Sequence, residues 1–190
     1  MILYDDLLAS NPGSRGKLSD ELIAELEDAW LKAYRQASSH KLNVLQFEDS
    51  GFTFLYDQTS AVTSDVEDRL VVGYGYSVRQ SEDRDNSRIA GLLGGGIDIP
   101  EKGTFDKGHV LAHSMGGGMD VNLFPQRPEL NRGISADGKV YRKMETYVAK
   151  HPGTFVFSRL IYTDASWVPS SVEYGILLPK GKFWINQFKN

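Results

Sequence analysis

Residues 102–150 read KGTFDKGHVLAHSMGGGMDVNLFPQRPELNRGISADGKVYRKMETYVAK, and the division of this stretch into elements decides the fold. Residues 108–112 have the apolar character of a short strand. Residues 115–120 are glycine-rich loop. Residues 139–150 follow a helical pattern that His151-Pro152-Gly153 ends. Upstream, Leu22, Ile23, Leu26, Trp30 and Ala33 recur at helical spacing and predict a helix over 19–37, opened by Ser19. Strands are predicted over 42–47, 52–56 and 69–79, with a polar, glycine-rich loop over 80–100. Downstream, residues 154–162, 171–178 and 183–188 read as strands. Strands, a helix and more strands, without regular βαβ alternation, predict an α+β domain built on an antiparallel sheet.

A chain of 190 residues can bury a real core. It divides most naturally into an acidic helical extension, 1–40, and a domain, 41–190. There are no cysteines, which excludes disulfides, thiolate metal sites and a cysteine nucleophile. No apolar run approaches the ~18 residues of a membrane span, so no membrane partner is expected. Asp5 and Asp6 lie where a cleaved signal peptide would be basic.

The net charge of −4 hides an asymmetry. Residues 1–101 carry 9 basic and 18 acidic side chains, whereas residues 102–159 carry 9 basic and 5 acidic. Lys102, Lys107, Arg127, Arg132, Lys139, Arg142, Lys143 and Lys150 therefore form either a phosphate-binding set or an ordinary solvated face.

Phosphodiester hydrolysis needs a base for water, a cation for the charge that develops, and a group that orients the base. His109 can serve as base, since an imidazole ordinarily titrates near ~6.5. The amide oxygen of Asn131 is a hard donor suited to Mg²⁺, which keeps several waters and takes few protein ligands. Glu145 can bind or orient those waters from its helix, and Lys107 can meet the phosphate.

Phe105-Asp106-Lys107-Gly108-His109, then Asn122-Leu123-Phe124-Pro125-Gln126, then Leu130-Asn131-Arg132-Gly133 and Glu145 together resemble the DNA/RNA non-specific endonuclease family. These are His-Me finger, or ββα-metal, nucleases, and the likeness extends to the toxin nuclease domains of bacterial secretion systems. The resemblance implies a ββα-metal core embedded in the antiparallel sheet. It implies His109 as general base, Asn131 as the protein ligand of Mg²⁺ (with Mn²⁺ able to substitute), and Glu145 as the support of the hydrated metal. Asn122 would position the loop or the scissile phosphate, and Asp106 would brace the motif. Two departures stand out. Lys107 replaces the usual Arg and lacks its bidentate fork. The spacing from Asn131 to Glu145 is long, with 134–139 reading as an inserted turn.

Each residue also has a plainer reading. His109 alone is a satisfied histidine, Asn131 a cap, Glu145 and Arg142 solvated helix residues, and Lys107 a surface lysine. Tyr74, Tyr76, Phe155, Phe157 and Tyr162 are expected in the core rather than against bases. Ala112-His113-Ser114-Met115-Gly116-Gly117 imitates the nucleophile elbow of a lipase, which gives an esterase at Ser114 as the alternative activity. The glycines after Ser114 oppose the required helix. They leave His113 and Ser114 as loop residues, where a backbone can approach a phosphate. A third alternative is a non-catalytic nucleic-acid or partner-binding domain.

The expectation is thus a Mg²⁺-dependent nuclease of DNA, and of RNA, with little sequence preference, since phosphate contacts carry no sequence information. Such an enzyme endangers its own cytoplasm. That implies an immunity or inhibitor protein as partner, and export by a dedicated secretion system without a cleaved signal peptide to act in a target cell.

Overall fold

Ser19 accepts a hydrogen bond from the Leu22 amide at 3.2 Å and so caps helix α2, Asp20–Ala37. Leu22, Leu26, Trp30 and Tyr34 then fall on one stripe, and all four are buried. The computed structural model describes residues 2–11, 17–80, 97–99, 102–119 and 121–190. A shorter helix, α1 (Tyr4–Ser10), precedes α2. The strands are β1 (Val44–Asp49), β2 (Phe52–Asp57), β3 (Arg69–Tyr76), β4 (Ile97–Ile99), β5 (Gly103–His109) and β6 (Leu123–Gln126). Helices α3 (Pro128–Asn131) and α4 (Ala136–Lys150) follow, then β7 (Phe155–Ile161), β8 (Ser171–Leu178) and β9 (Lys182–Lys189).

Six strands form an antiparallel sheet in the order β1-β2-β3-β7-β8-β9. Tyr74 pairs with Phe157 across β3 and β7, so both rings share one face, and Trp30 of α2 packs on them at 5.3 and 5.0 Å. On β8 and β9, Tyr174 and Phe188 meet Tyr141 of α4, each at 5.3 Å. The helices thus cover both faces of the sheet, which is why seven of the eight residues of β8 are buried. Tyr74, Phe155, Phe157 and Tyr162 are buried, so these aromatics are core as expected.

The second sheet, β4-β5-β6, carries the quoted stretch. Asp106, Lys107, Gly108 and His109 pair with Gln126, Pro125, Phe124 and Leu123. Gly108 is required by this pairing, since a Cβ there would lie 2.3 Å from Oε1 of Gln126.

Three local expectations need correction. The strand is Gly103–His109 rather than 108–112, because pairing with β4 and β6, not apolar content, makes it. The apparent insertion at 134–139 is the start of α4: Ser135 caps the helix by accepting from the Gly138 amide at 2.9 Å. Residues 97–99, expected as loop, form β4, while 81–96 and 100 lie outside the described residues, as does Asp120.

Candidate active site

A cleft of about 370 Å³ is lined by Lys107, His109, Ala112, His113, Ser114, Asn131, Arg132, Arg142 and Glu145. Lys107 and His109 lie two residues apart on β5, so they share a strand face. Arg142 and Glu145 lie three apart on α4 and share a helix face. A roomier concavity of about 540 Å³, walled by Phe47, Leu70, Leu160 and Tyr162, is largely apolar, and its carboxylate, Asp68, accepts hydrogen bonds from Thr59 and Ser60. The residues singled out in the sequence gather at the smaller, polar cleft.

Asp106 organises one wall. Its Oδ2 accepts from Nδ2 of Asn131 at 3.0 Å and from Nε of Arg132 at 2.8 Å, while Oδ1 accepts from Nη2 of Arg132 at 2.7 Å. Only the amide NH₂ of Asn131 can face a carboxylate, so the bond fixes which end of the side chain is which. The Asn131 oxygen is left as the end that does not face Asp106. The Arg132 hydrogen bonds, helped by the one from Asn131, hold the Asp106 carboxyl below the usual range and keep it ionised.

Asn131 is delivered by the single turn of α3. Pro128 stands in its first turn, and the Asn131 amide donates to the Arg127 carbonyl at 2.9 Å.

Glu145 lies next to buried Met144 and is itself part-buried. Its carboxylate makes no hydrogen bond among the described residues. Burial pushes its pKa up to about 7, against the lowering pull of Arg142. Among the described residues Glu145 forms no ion pair, although Arg142 lines the same cleft.

His109 ends β5, with Nε2 3.4 Å from Sδ of Met119. The loop that follows is pinned by Asn122, which is fully buried. Its Oδ1 accepts from the Leu111 amide at 2.8 Å, and its Nδ2 donates to the carbonyls of Leu111 at 2.6 Å and Gly118 at 2.9 Å. This geometry ties Asn122 to the loop, and Asn122 is not among the residues that line the cleft. The glycines also serve packing: a Cβ on Gly117 would lie 1.9 Å from the Leu111 carbonyl oxygen.

The cleft thus brings together Lys107, His109, Asn131 and Glu145, with Asp106 directly behind Asn131. It adds Arg142 and Arg132, both in the candidate phosphate-binding set, and His113, expected only as a loop residue. Arg142 lines the cleft rather than a remote surface. Its position one turn before Glu145 was the signal. Arg132 grips Asp106 with two hydrogen bonds. Its place in the basic set and its adjacency to Asn131 were the hints. His113 lines the cleft with its Nδ1 3.3 Å from Nε2 of Gln80, and its own Nε2 has no hydrogen-bond partner among the described residues. Of the other basic residues, Lys102 pairs with Asp164 at 2.5 Å, and Arg127 stacks over Phe105 at 4.9 Å.

The esterase alternative finds little support here. Ser114 sits inside the one-turn 3-10 segment His113–Met115, not between a strand and a helix, and makes no hydrogen bond to a base among the described residues. His151 is engaged with the Tyr147 carbonyl at 2.7 Å.

No family model and no curated protein matches the chain. Among solved structures, the chain is similar to the Sda1 nuclease with bound zinc ion, at 13% identity and a TM-score of 0.39, over 84% of this chain and 81% of that one. It is also similar to an extracellular endonuclease, at 14% identity and a TM-score of 0.35, over 79% and 70%. At these scores the likeness is loose, and the reading of the cleft rests on its own residues.

Proposed function

We propose that the protein is a magnesium-dependent nuclease that hydrolyses phosphodiester bonds of DNA and RNA with little sequence preference. The observation that carries this reading is the Asp106–Asn131 hydrogen bond at 3.0 Å, which orients a hard oxygen donor in the cleft that His109 and Glu145 also line. In this reading β5, β6 and α4 are the ββα-metal unit of a His-Me finger nuclease.

The donor set fits a divalent cation. Asn131 supplies a neutral oxygen with its orientation fixed, and Glu145 supplies a part-buried carboxylate that no donor among the described residues engages. Among the described residues no group of three or more His, Asp or Glu side chains gathers to form a full protein cage. Few protein ligands with water completing the set is the habit of Mg²⁺, and Mn²⁺ can substitute. When bound, the ion supplies charge stabilisation to the phosphorane and the leaving oxygen.

The chain's own residues do the rest. His109 accepts a proton from the attacking water. Lys107, Arg132 and Arg142 give the cleft three cations for the phosphate. Asp106 holds Asn131 and Arg132 in place, and Asn122 holds the loop that leaves the end of β5.

The test is digestion of plasmid DNA and of structured RNA by wild type and His109→Ala, with Mg²⁺ and with EDTA. Cleavage by wild type in Mg²⁺ alone, lost in His109→Ala, is expected. Equal cleavage in EDTA overturns the metal assignment. DNA binding without turnover in either Mg²⁺ or Mn²⁺ favours a non-catalytic binding domain.

A nuclease without sequence preference threatens the cell that makes it, and on that ground we also propose a secreted toxin with a neutralising partner. Among the described residues no helix is long and apolar enough to cross a membrane. Expression in a nuclease-sensitive host tests the toxin reading: growth arrest by wild type but not by His109→Ala is expected, and unaffected growth counts against it.

A further inference from the structure

Asn190 is a polar side chain buried to 8% exposure, and all of its hydrogen-bonding groups go to backbone. Its Oδ1 accepts from the Arg127 amide at 2.8 Å. Its Nδ2 donates to the carbonyls of Pro125 and Pro169, each at 2.9 Å. Its own amide donates to the Ser170 carbonyl at 2.9 Å. One residue beyond β9 therefore ties together the end of β6, the first residue before α3 and the segment that enters β8.

Arg127 is the hinge of this arrangement. Its amide is held by Asn190, and its carbonyl accepts from the Leu130 amide at 3.0 Å and the Asn131 amide at 2.9 Å. Pro125, held by the other end of the same side chain, lies opposite Lys107 in the β5–β6 register. A path thus runs from Asn190 through the backbone of a single residue, Arg127, to the amide of Asn131. The four residues of α3 are too few to hold themselves in place.

We infer that Asn190 is a positioning residue for the divalent cation: it fixes the turn that presents the Asn131 amide oxygen. This rests on the reading of Asn131 as metal ligand. The chemistry is specific to an asparagine, which offers an acceptor to Arg127 and donors to two carbonyls from one short side chain. An aspartate at this place can still accept from Arg127, but it sets a carboxylate against two carbonyl oxygens. An alanine leaves the amide and both carbonyls without this partner.

The experiment measures Mn²⁺ binding to metal-free protein by electron paramagnetic resonance, beside thermal melting and Mg²⁺ titration of plasmid cleavage. The proteins are wild type, Asn190→Ala, Asn190→Asp and Tyr162→Phe. Tyr162 donates to the Leu70 carbonyl at 2.8 Å in the core, so its variant controls for a stability loss elsewhere. Asn190→Ala and Asn190→Asp are expected to weaken Mn²⁺ binding about tenfold and to raise the half-saturating Mg²⁺ by a like factor. Cleavage at saturating Mg²⁺ and the KM for DNA stay within about threefold of wild type. Tyr162→Phe lowers the melting temperature with Mn²⁺ affinity unchanged. If the Asn190 variants melt lower but bind Mn²⁺ like wild type, the positioning role is overturned. If wild type binds no Mn²⁺, the metal-site reading fails first, which is a different result.

Discussion

Nδ2 of Asn131 donates to Oδ2 of Asp106 at 3.0 Å, across 25 residues of sequence, and that single bond decides which end of the Asn131 amide serves the cleft. Among the described residues the Asp106 carboxylate hydrogen-bonds Asn131 and Arg132 alone. Asp106→Asn removes the charge that holds both and lets either end of the Asn131 amide face it. The half-saturating Mg²⁺ should rise roughly 10–100-fold. Because Arg132 is exposed, its ion pair contributes little to folding, and the melting temperature should move by only a few degrees. A variant that loses stability but keeps its Mg²⁺ dependence contradicts this role.

His109 and His113 face the same cleft, and their variants separate the base from its neighbour. Removal of a general base slows turnover roughly 10²–10⁴-fold. His109→Ala should show that loss with little change in Mn²⁺ affinity or melting. His113→Ala should stay within about tenfold of wild type. Comparable losses in the two variants would move the base assignment away from His109 alone.

Asn122 makes its contribution through the loop, so its replacement should read as a folding defect. Asn122→Ala leaves the Leu111 amide and carbonyl and the Gly118 carbonyl without their side-chain partner. An unsatisfied buried group costs about 1–3 kcal/mol, and partial relaxation puts the sum at roughly 2–4 kcal/mol. Urea unfolding measures it. A loss of activity with an unchanged unfolding midpoint would return Asn122 to the substrate.

What the sequence made legible were the elements whose signals are local. Helix α2 carries its cap at Ser19 and its stripe of Leu22, Leu26 and Trp30 within one segment, so its bounds were readable to within a residue. Strand β5 was not, because Gly103, Asp106, Lys107 and Gly108 have little strand propensity, and the strand forms where 103–105 pair with β4 and 106–109 pair with β6. The start of α4 was hidden by Asp137 and Gly138, which read as a turn until the Ser135 cap is seen. His109, Asn131 and Glu145 were visible as a linked pattern. The bonds from Asp106 to Asn131 and from Asn190 to Arg127 were not, since a side chain that reaches across the fold leaves no periodicity behind.

Glu145 links stability to pH in the metal-free protein. Its pKa stands at about 7 in the folded chain against an ordinary 4.5, because burial disfavours the charged form. The group is therefore neutral in both states below pH 4.5, where its contribution to stability is fully present. As pH rises through 7, the folded chain must ionise it at a cost that the unfolded chain avoids, and that stability is lost. The difference amounts to about 2–3 kcal/mol, or several degrees of melting temperature for a chain of this size. In EDTA at pH 8.5, Glu145→Gln should melt several degrees above wild type, and at pH 4 the two should coincide. Mg²⁺ at pH 8.5 should raise wild type toward the Gln variant, because a cation beside the carboxylate favours its charged form. If the two proteins melt together at both pH values, Glu145 does not carry this charge cost, and Mg²⁺ has no buried carboxylate to relieve.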